Sequence, residues 1–138
     1  MTIFEFQKLL TADLNGTKEL LQGGCKAFAE DTRTVYNESE QFVSSGGVAL
    51  VVVTPRLNRV GGNTDNGIPV EGDILIRCIE RAPLSSKRGN LRALDAAEIV
   101  AHSLDDDTFE FRSIEQAVTS PETITATVTF SCSFLLTK

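Results

Sequence analysis

The chain has 138 residues, of which 13 are basic and 19 acidic, giving a net charge of −6 at neutral pH. This length predicts a single domain over residues 1–138 that buries a core without disulfide or metal support. A content of 41% hydrophobic and 23% charged residues excludes a disordered chain, and the acidic balance disfavours nucleic acid and anionic lipid as partners.

The N-terminal third predicts two helical segments and one strand. Apolar residues spaced by three and four positions over 2–14 predict a helix. Thr17 is placed to cap a short further turn, which Gly23 and Gly24 would end. Alternation over 25–29 predicts a short strand, and the polar segment 30–46 is expected to be mostly loop.

The middle of the chain predicts two strands separated by a long loop. The apolar run 48–53 is typical of a strand buried on both faces, in the centre of a sheet. Residues 55–72 are rich in glycine, asparagine and proline, and predict a long mobile loop or hairpin tip. Residues 70–81 alternate as in a strand whose second face is partly basic.

The C-terminal third predicts a turn, a helix and two strands. The segment 85–90 is rich in turn residues. Over 91–104 the apolar spacing predicts an amphipathic helix with Leu94 on its buried face and Ile99 projecting on the opposite side. A strand begins at Phe109 with a bulge before Ile114, and 123–136 alternates clearly between apolar residues and Thr or Ser.

This order of elements predicts an α+β fold with a mostly antiparallel sheet and helices packed on one face. The Thr and Ser row of the final strand is typical of the solvated face of an antiparallel sheet. A flat surface offered to a neighbouring subunit is the alternative interpretation.

Charged residues and cysteines narrow the class of partner. A basic stretch with one acidic residue, Glu80, is followed by an acidic stretch, which indicates either solvated faces or complementary patches that meet between subunits. The basic residues are Arg77, Arg81, Lys87, Arg88 and Arg92; the acidic ones are Asp95, Glu98, Asp105, Asp106, Asp107 and Glu110. Cys25, Cys78 and Cys132 form no disulfide or zinc pattern and are expected to be buried apolar residues in a reducing compartment.

The sequence contains no pattern typical of catalysis, so we expect no catalytic, metal or cofactor-binding residues and no enzyme. His102 is the only histidine and is expected to be a plain surface residue. The acidic triplet at 105–107 lacks the alternating ligands of a cation site and lies at the unfavourable end of a helix dipole. The glycine-rich segment 61–67 matches neither a phosphate-binding nor a calcium-binding loop, and predicts a flexible tip.

From residue 46 onward the layout resembles a family of phage proteins. Its strongest elements are the strand that ends Ile79-Glu80-Arg81 and the helix that begins Leu94-Asp95-Ala96-Ala97-Glu98. Together with the apolar strand before them and the two strands after them, they resemble the tail terminator and minor tail proteins of long-tailed bacteriophages and prophages. The polar insert at 30–45 departs from that layout.

The resemblance implies a structural protein of the virion tail, assembled in the bacterial cytoplasm. It implies a homo-oligomer, a hexameric ring, that caps the tail tube and contacts tube and neck or connector proteins, with no cofactor. Loop 55–72 is a further candidate for contacts. The candidate interface residues are Arg77, Arg81, Lys87, Arg88, Arg92, Asp95 and Ile99. A monomeric adaptor module that captures a peptide along an exposed final strand is the alternative function.

Overall fold

A mixed β-sheet forms the centre of the molecule, with helices on both of its faces. The computed structural model describes residues 2–30, 32–62, 66–106 and 109–137, and over these ranges it contains five helices and six strands. The helices are α1 (Ile3–Asn15), α2 (Lys18–Gln22), α3 (Arg33–Ser44), α4 (Ala82–Lys87) and α5 (Ala93–Leu104). The strands are β1 (Cys25–Ala29), β2 (Val48–Val52), β3 (Arg56–Arg59), β4 (Ile68–Arg81), β5 (Phe109–Val118) and β6 (Thr123–Leu136).

The sheet confirms the predicted α+β class. Its strand order is β1-β2-β4-β6-β5, with β3 paired to the first part of β4 beside β2. Only β1 and β2 pair in parallel, and every other described pair is antiparallel. The longest ladder joins β4 to β6 from Ile68 opposite Leu136 to Arg81 opposite Thr123.

The main core lies between the first face of the sheet and helices α1, α2 and α5. Because side chains alternate along a strand, every second residue of β4 and β6 points into this core, as the sequence predicted. Ile74, Ile76, Val128 and Phe130 are fully buried there. Within the described ranges, every helix is too short or too polar to cross a bilayer.

Helix α1 begins and docks as its sequence requires. Thr2 and Glu5 form a reciprocal capping box, which satisfies backbone N–H groups that the first turn leaves unpaired. The buried Gln7 donates its side-chain N–H to the carbonyl oxygen of Val52 at 2.8 Å. This bond fixes the helix to the end of β2.

Helix α3 corrects the prediction that 30–46 is mostly loop. Thr32 caps it by accepting a hydrogen bond from the Val35 N–H, and Val35, Phe42 and Val43 pack against β1 and β2 on the second face. Its helical period was missed because only these three large apolar residues lie among many polar ones. The second face of the sheet is therefore covered over β1 and β2, and α3 adds to the predicted helices of the first face.

Strand β3 corrects the prediction of one long loop over 55–72. Its four residues pair with β4 from Arg56 opposite Asp73 to Arg59 opposite Val70, so the connection shrinks to 60–67. A Cβ atom at Gly72 would collide with the carbonyl oxygen of Arg56, which explains a glycine at this close approach. The prediction of a flexible tip at 61–67 falls partly on residues 63–65, which lie outside the described residues.

The segment after β4 departs from prediction in two places. Residues 82–87, which include part of the predicted turn, form helix α4, with proline in its first turn where the missing N–H costs nothing. In α5 the buried face is Ala93, Ala96, Ala97, Val100, Ala101 and Leu104. Leu94 is therefore exposed and Ile99 is half-buried against the core, the reverse of what the sequence predicted.

The two final strands form as predicted, but the last one does not lie at an edge. β5 shows the expected irregularity between Phe111 and Ser113. β6 lies between β4 and β5, so the expected capture of a peptide along an exposed final strand is wrong for this strand. The outer strand on this side of the sheet is β5.

Candidate interaction surface

The uncovered half of the second face forms an open groove of about 920 Å³. Its floor is the β4–β6–β5 part of the sheet, and one wall is α3. The turn between β5 and β6 lines the end near Arg81. The principal polar lining residues are Glu30, Tyr36, Glu40, Arg77, Arg81, Glu115, Glu122, Thr123, Thr125 and Thr127.

Arg77 stands at the middle of the groove floor. Strand register places it between Val51 of β2 and Thr127 of β6, with Glu115 of β5 opposite Thr127 on the far side. Arg77 is exposed, and among the described residues no carboxylate lies within ion-pair distance of it. The groove therefore offers a cation whose hydrogen-bonding capacity is available to an incoming group.

The other charges of the groove are tied to neighbours. Arg81 donates from Nε and Nη2 to one carboxylate oxygen of Glu122, at 2.8 and 2.6 Å. Tyr36 donates its hydroxyl to Glu40 at 2.8 Å, and this bond to a carboxylate raises the pKa of the tyrosine. The wall formed by Tyr36 and Glu40 was not predicted, since it depends on α3.

The basic stretch seen in the sequence does not form one patch. Arg77 and Arg81 point to the second face, because residues four apart on a strand share a face. Arg92, at the start of α5, instead donates from Nε to the buried carboxylate of Glu80 at 2.9 Å. Glu80 also accepts from the Ser85 hydroxyl at 2.8 Å, and its carboxylate raises the pKa of Arg92.

Lys87 and Arg88 lie away from the groove, at the end of α4. Both are exposed, and in the described part of the chain neither takes part in an ion pair. Arg88 lines a separate depression with Phe42, Gly47 and Lys26 at the start of β1 and β2. Its position differs from that of Arg77, so the two cations belong to different surfaces.

The acidic stretch is also divided. Asp95 is exposed in the first turn of α5, where a carboxylate is favoured by the helix dipole. Asp105 and Asp106 accept hydrogen bonds from the N–H groups of Phe111 and Phe109, at 3.0 and 2.8 Å. These bonds offset the unfavourable position of the two carboxylates after a helix, and Asp107 lies outside the described residues.

The remaining candidates for chemistry are separated from the groove. His102 is exposed on α5, as predicted. The three cysteines are free and buried, as predicted, and burial raises the pKa of Cys25 to about 12 and that of Cys132 to about 11. Within the described ranges, no three His, Cys, Asp or Glu side chains converge as a metal site would require.

Comparison with protein-family models and with curated proteins gives no match to this chain. The geometry of the groove and of the sheet edges is therefore the basis for a functional hypothesis.

Proposed function

We propose that the chain is a structural subunit of a bacteriophage tail that assembles into a ring, caps the tail tube and joins it to the head. Six copies is the number that the resemblance to tail terminator proteins implies. In this proposal the subunit works in the virion tail, after assembly in the host cytoplasm, and needs no cofactor.

The observation that carries the proposal is the open groove, lined by both charged and apolar residues, on the half-covered face of the sheet. A small-molecule site encloses most of its ligand, whereas this groove is open along the sheet. Its lining includes Tyr36, Arg77 and Arg81, and tyrosine and arginine are enriched where proteins meet. These features favour a protein contact over a small-molecule function.

The distribution of charge supports a head-to-tail arrangement. Arg77 in the groove and Arg88 beyond α3 are exposed cations on different surfaces, while Asp95 and Glu98 are exposed on α5. Contacts between unlike surfaces of identical copies close into rings when the rotation between neighbours permits. Arg81 and Arg92 already have partners within the chain, so Arg77, Lys87, Arg88 and Asp95 are the better contact candidates.

Sedimentation of the wild-type protein over a range of concentrations tests this function. We expect species at multiples of the 15.0 kDa subunit, up to six copies. The double variant Arg77→Glu and Arg88→Glu should lower the assembled fraction without unfolding the subunit, because exposed charges add little to stability. The matched control, Lys8→Glu with Lys18→Glu, makes the same charge change on α1 and α2.

The outcomes separate the ring from its contacts. A wild-type protein that stays monomeric at high concentration contradicts assembly of the isolated subunit. If the Arg77→Glu and Arg88→Glu variant assembles to the same fraction as the control variant, the ring stands and only the assignment of Arg77 and Arg88 as contact residues is wrong.

A second candidate function is a monomeric adaptor that captures an extended peptide at a sheet edge. The observation that favours it is the position of β5 at the outside of the sheet. A monomeric wild-type protein that binds extended peptides would favour this function over the ring.

A further inference from the structure

The sheet has outer edges that are covered and outer edges that are not. Proteins usually protect exposed strand edges, because unpaired backbone groups recruit other strands. At β1, Asn15 closes the edge: its Nδ2 donates to the Ala27 carbonyl at 3.2 Å, and its Oδ1 accepts from the Ala27 N–H at 2.8 Å. The asparagine side chain thus takes the place of a neighbouring strand.

The first half of β5 is closed in a similar way. The Phe109 and Phe111 N–H groups point outward to the side chains of Asp106 and Asp105. The Asp106 N–H in turn donates to the Phe109 carbonyl at 2.9 Å. The edge is covered as far as the bulge.

The second half of β5 is open. The Thr119 N–H donates to the Thr123 carbonyl at 2.9 Å. Because backbone groups alternate in direction along a strand, those of Ala117 and Glu115 also point toward β6. The backbone groups of Ile114, Gln116 and Val118 therefore point outward, and within the described ranges no hydrogen bond to them is present. The side chain of Val118 is 68% exposed.

The edge of β3, on the opposite side of the sheet, is open at Leu57. The Val60 N–H donates to the Pro69 carbonyl at 2.9 Å. Because backbone groups alternate in direction along a strand, those of Asn58 point toward β4 and those of Leu57 point away from it. In the described part of the chain no partner for the outward backbone groups of Leu57 is present. β3 carries Arg56 and Arg59, whereas the open half of β5 carries Glu115.

We propose that the open half of β5 pairs with β3 of the neighbouring copy, so that the sheets of adjacent subunits join edge to edge. This contact rests on the proposed function, a ring of identical subunits. The opposite charges of the two edges favour this pairing, because Glu115 of one copy approaches Arg56 of the next on the same face of the joined sheet. Pairing between two β5 strands would instead bring the two Glu115 carboxylates near each other.

Strand direction agrees with the pairing. Within one subunit β3 runs antiparallel to β4, and three antiparallel pairings connect β3 to β5. β3 and β5 therefore run in opposite directions. A rotation that relates ring neighbours about an axis near the strand direction preserves this relation, so the two edges meet as an antiparallel pair.

The offset between the two edges also suits a closed ring. With Gln116 opposite Leu57, the register places Gln116 level with Cys78 and Leu57 level with Gly72, which separates the two facing positions by six residues along β4. Six residues span about 20 Å, and four strand spacings span about 19 Å. Closure then requires strands tilted by about 45° from the ring axis, at the upper end of the tilt usual for closed sheets.

Cross-linking with a short bis-maleimide tests the contact in the full-length protein. Asn58→Cys and Ala117→Cys place exposed thiols on the same face of the two edges. We expect the double variant to give a ladder of covalent species in steps of 15.0 kDa, and each single variant to give none. The native cysteines are buried and poor nucleophiles, so the wild-type protein is the control.

Proline at position 116 is the second variant. The Gln116 N–H points outward, so Gln116→Pro leaves the ladder to β6 intact and removes a donor of the new edge pairing. We expect its assembly to weaken by about tenfold or more, with an unchanged circular dichroism spectrum. An unchanged assembly would overturn the proposed pairing.

The remaining outcomes separate this contact from the ring. A ring in sedimentation without cross-links in the double variant means that subunits join elsewhere, which overturns the edge pairing and leaves the proposed function standing. Cross-linked dimers of the single variant Ala117→Cys would indicate pairing between two β5 strands, which also overturns the proposed pairing of β5 with β3. A strictly monomeric, uncross-linked protein overturns both the pairing and the isolated ring.

Discussion

Phe130 shows what a single core residue contributes. It is fully buried in the middle of β6, against Phe111 and the main core. Phe130→Ala should lower the free energy of unfolding by about 3 to 5 kcal/mol, since it removes buried apolar atoms and leaves a cavity. Chemical denaturation measures this, and a loss under about 1 kcal/mol would contradict the packing.

The two arginine ion pairs should differ in strength despite similar geometry. In the Arg92 pair the Glu80 side chain is 1% exposed, whereas both partners of the Arg81 pair are about half exposed, at 42% and 52%. Arg92→Ala leaves a buried carboxylate whose remaining hydrogen-bond partner among the described residues is Ser85, so it should lower the free energy of unfolding more than Arg81→Ala does. Arg81→Ala, the matched control, should cost less than about 1 kcal/mol.

Denaturation of both arginine variants under the same conditions checks this prediction. If the two variants lose the same free energy of unfolding, the burial of Glu80 does not determine the strength of its ion pair with Arg92.

Individual elements differ in how far the sequence predicts them. Strict alternation predicted β4 and β6, because one of their faces is apolar almost without interruption. β3 was not predictable from pattern, since a four-residue strand with three polar residues has no period to detect. α3 was missed for the same reason, although Thr32 and the spacing of Val35 and Phe42 were available as signals.

The groove could be predicted only in part. The shared face of Arg77 and Arg81 follows from strand alternation alone. The wall with Tyr36 and Glu40 depends on where α3 packs, and the link from Glu80 to Arg92 depends on the path of the chain through α4. Such long-range positions have no local signal in the sequence.

Amide exchange along β5 should alternate from residue to residue in the free subunit. The N–H groups of Ser113, Glu115 and Ala117 point to β6 and should be protected, whereas those of Ile114 and Gln116 point outward and should exchange fast. Exchange measured by NMR on the monomeric fraction checks this pattern. Uniform protection over 113–117 would contradict the assigned ladder.

The whole molecule should lose stability in alkaline solution through its buried thiols. Burial raises the pKa of Cys25 to about 12 and of Cys132 to about 11, from the ordinary value of 9.0. Since the folded chain holds these protons more tightly than the unfolded chain, their contribution is complete below pH 9 and is lost as the pH rises from there toward 11 and 12.

Denaturation midpoints at neutral and alkaline pH measure this loss. The variant with Cys25→Ala and Cys132→Ala should lose less stability between the two conditions than the wild-type protein. Identical losses would mean that other groups determine the alkaline limit.

The long β4–β6 ladder has a mechanical consequence for the subunit. Its fourteen residue pairs lie side by side, with hydrogen bonds perpendicular to the strands. A force that pulls β4 and β6 in opposite directions along their length loads these bonds together, whereas a force at the turn would open them one after another. The subunit should therefore resist extension best along its strands.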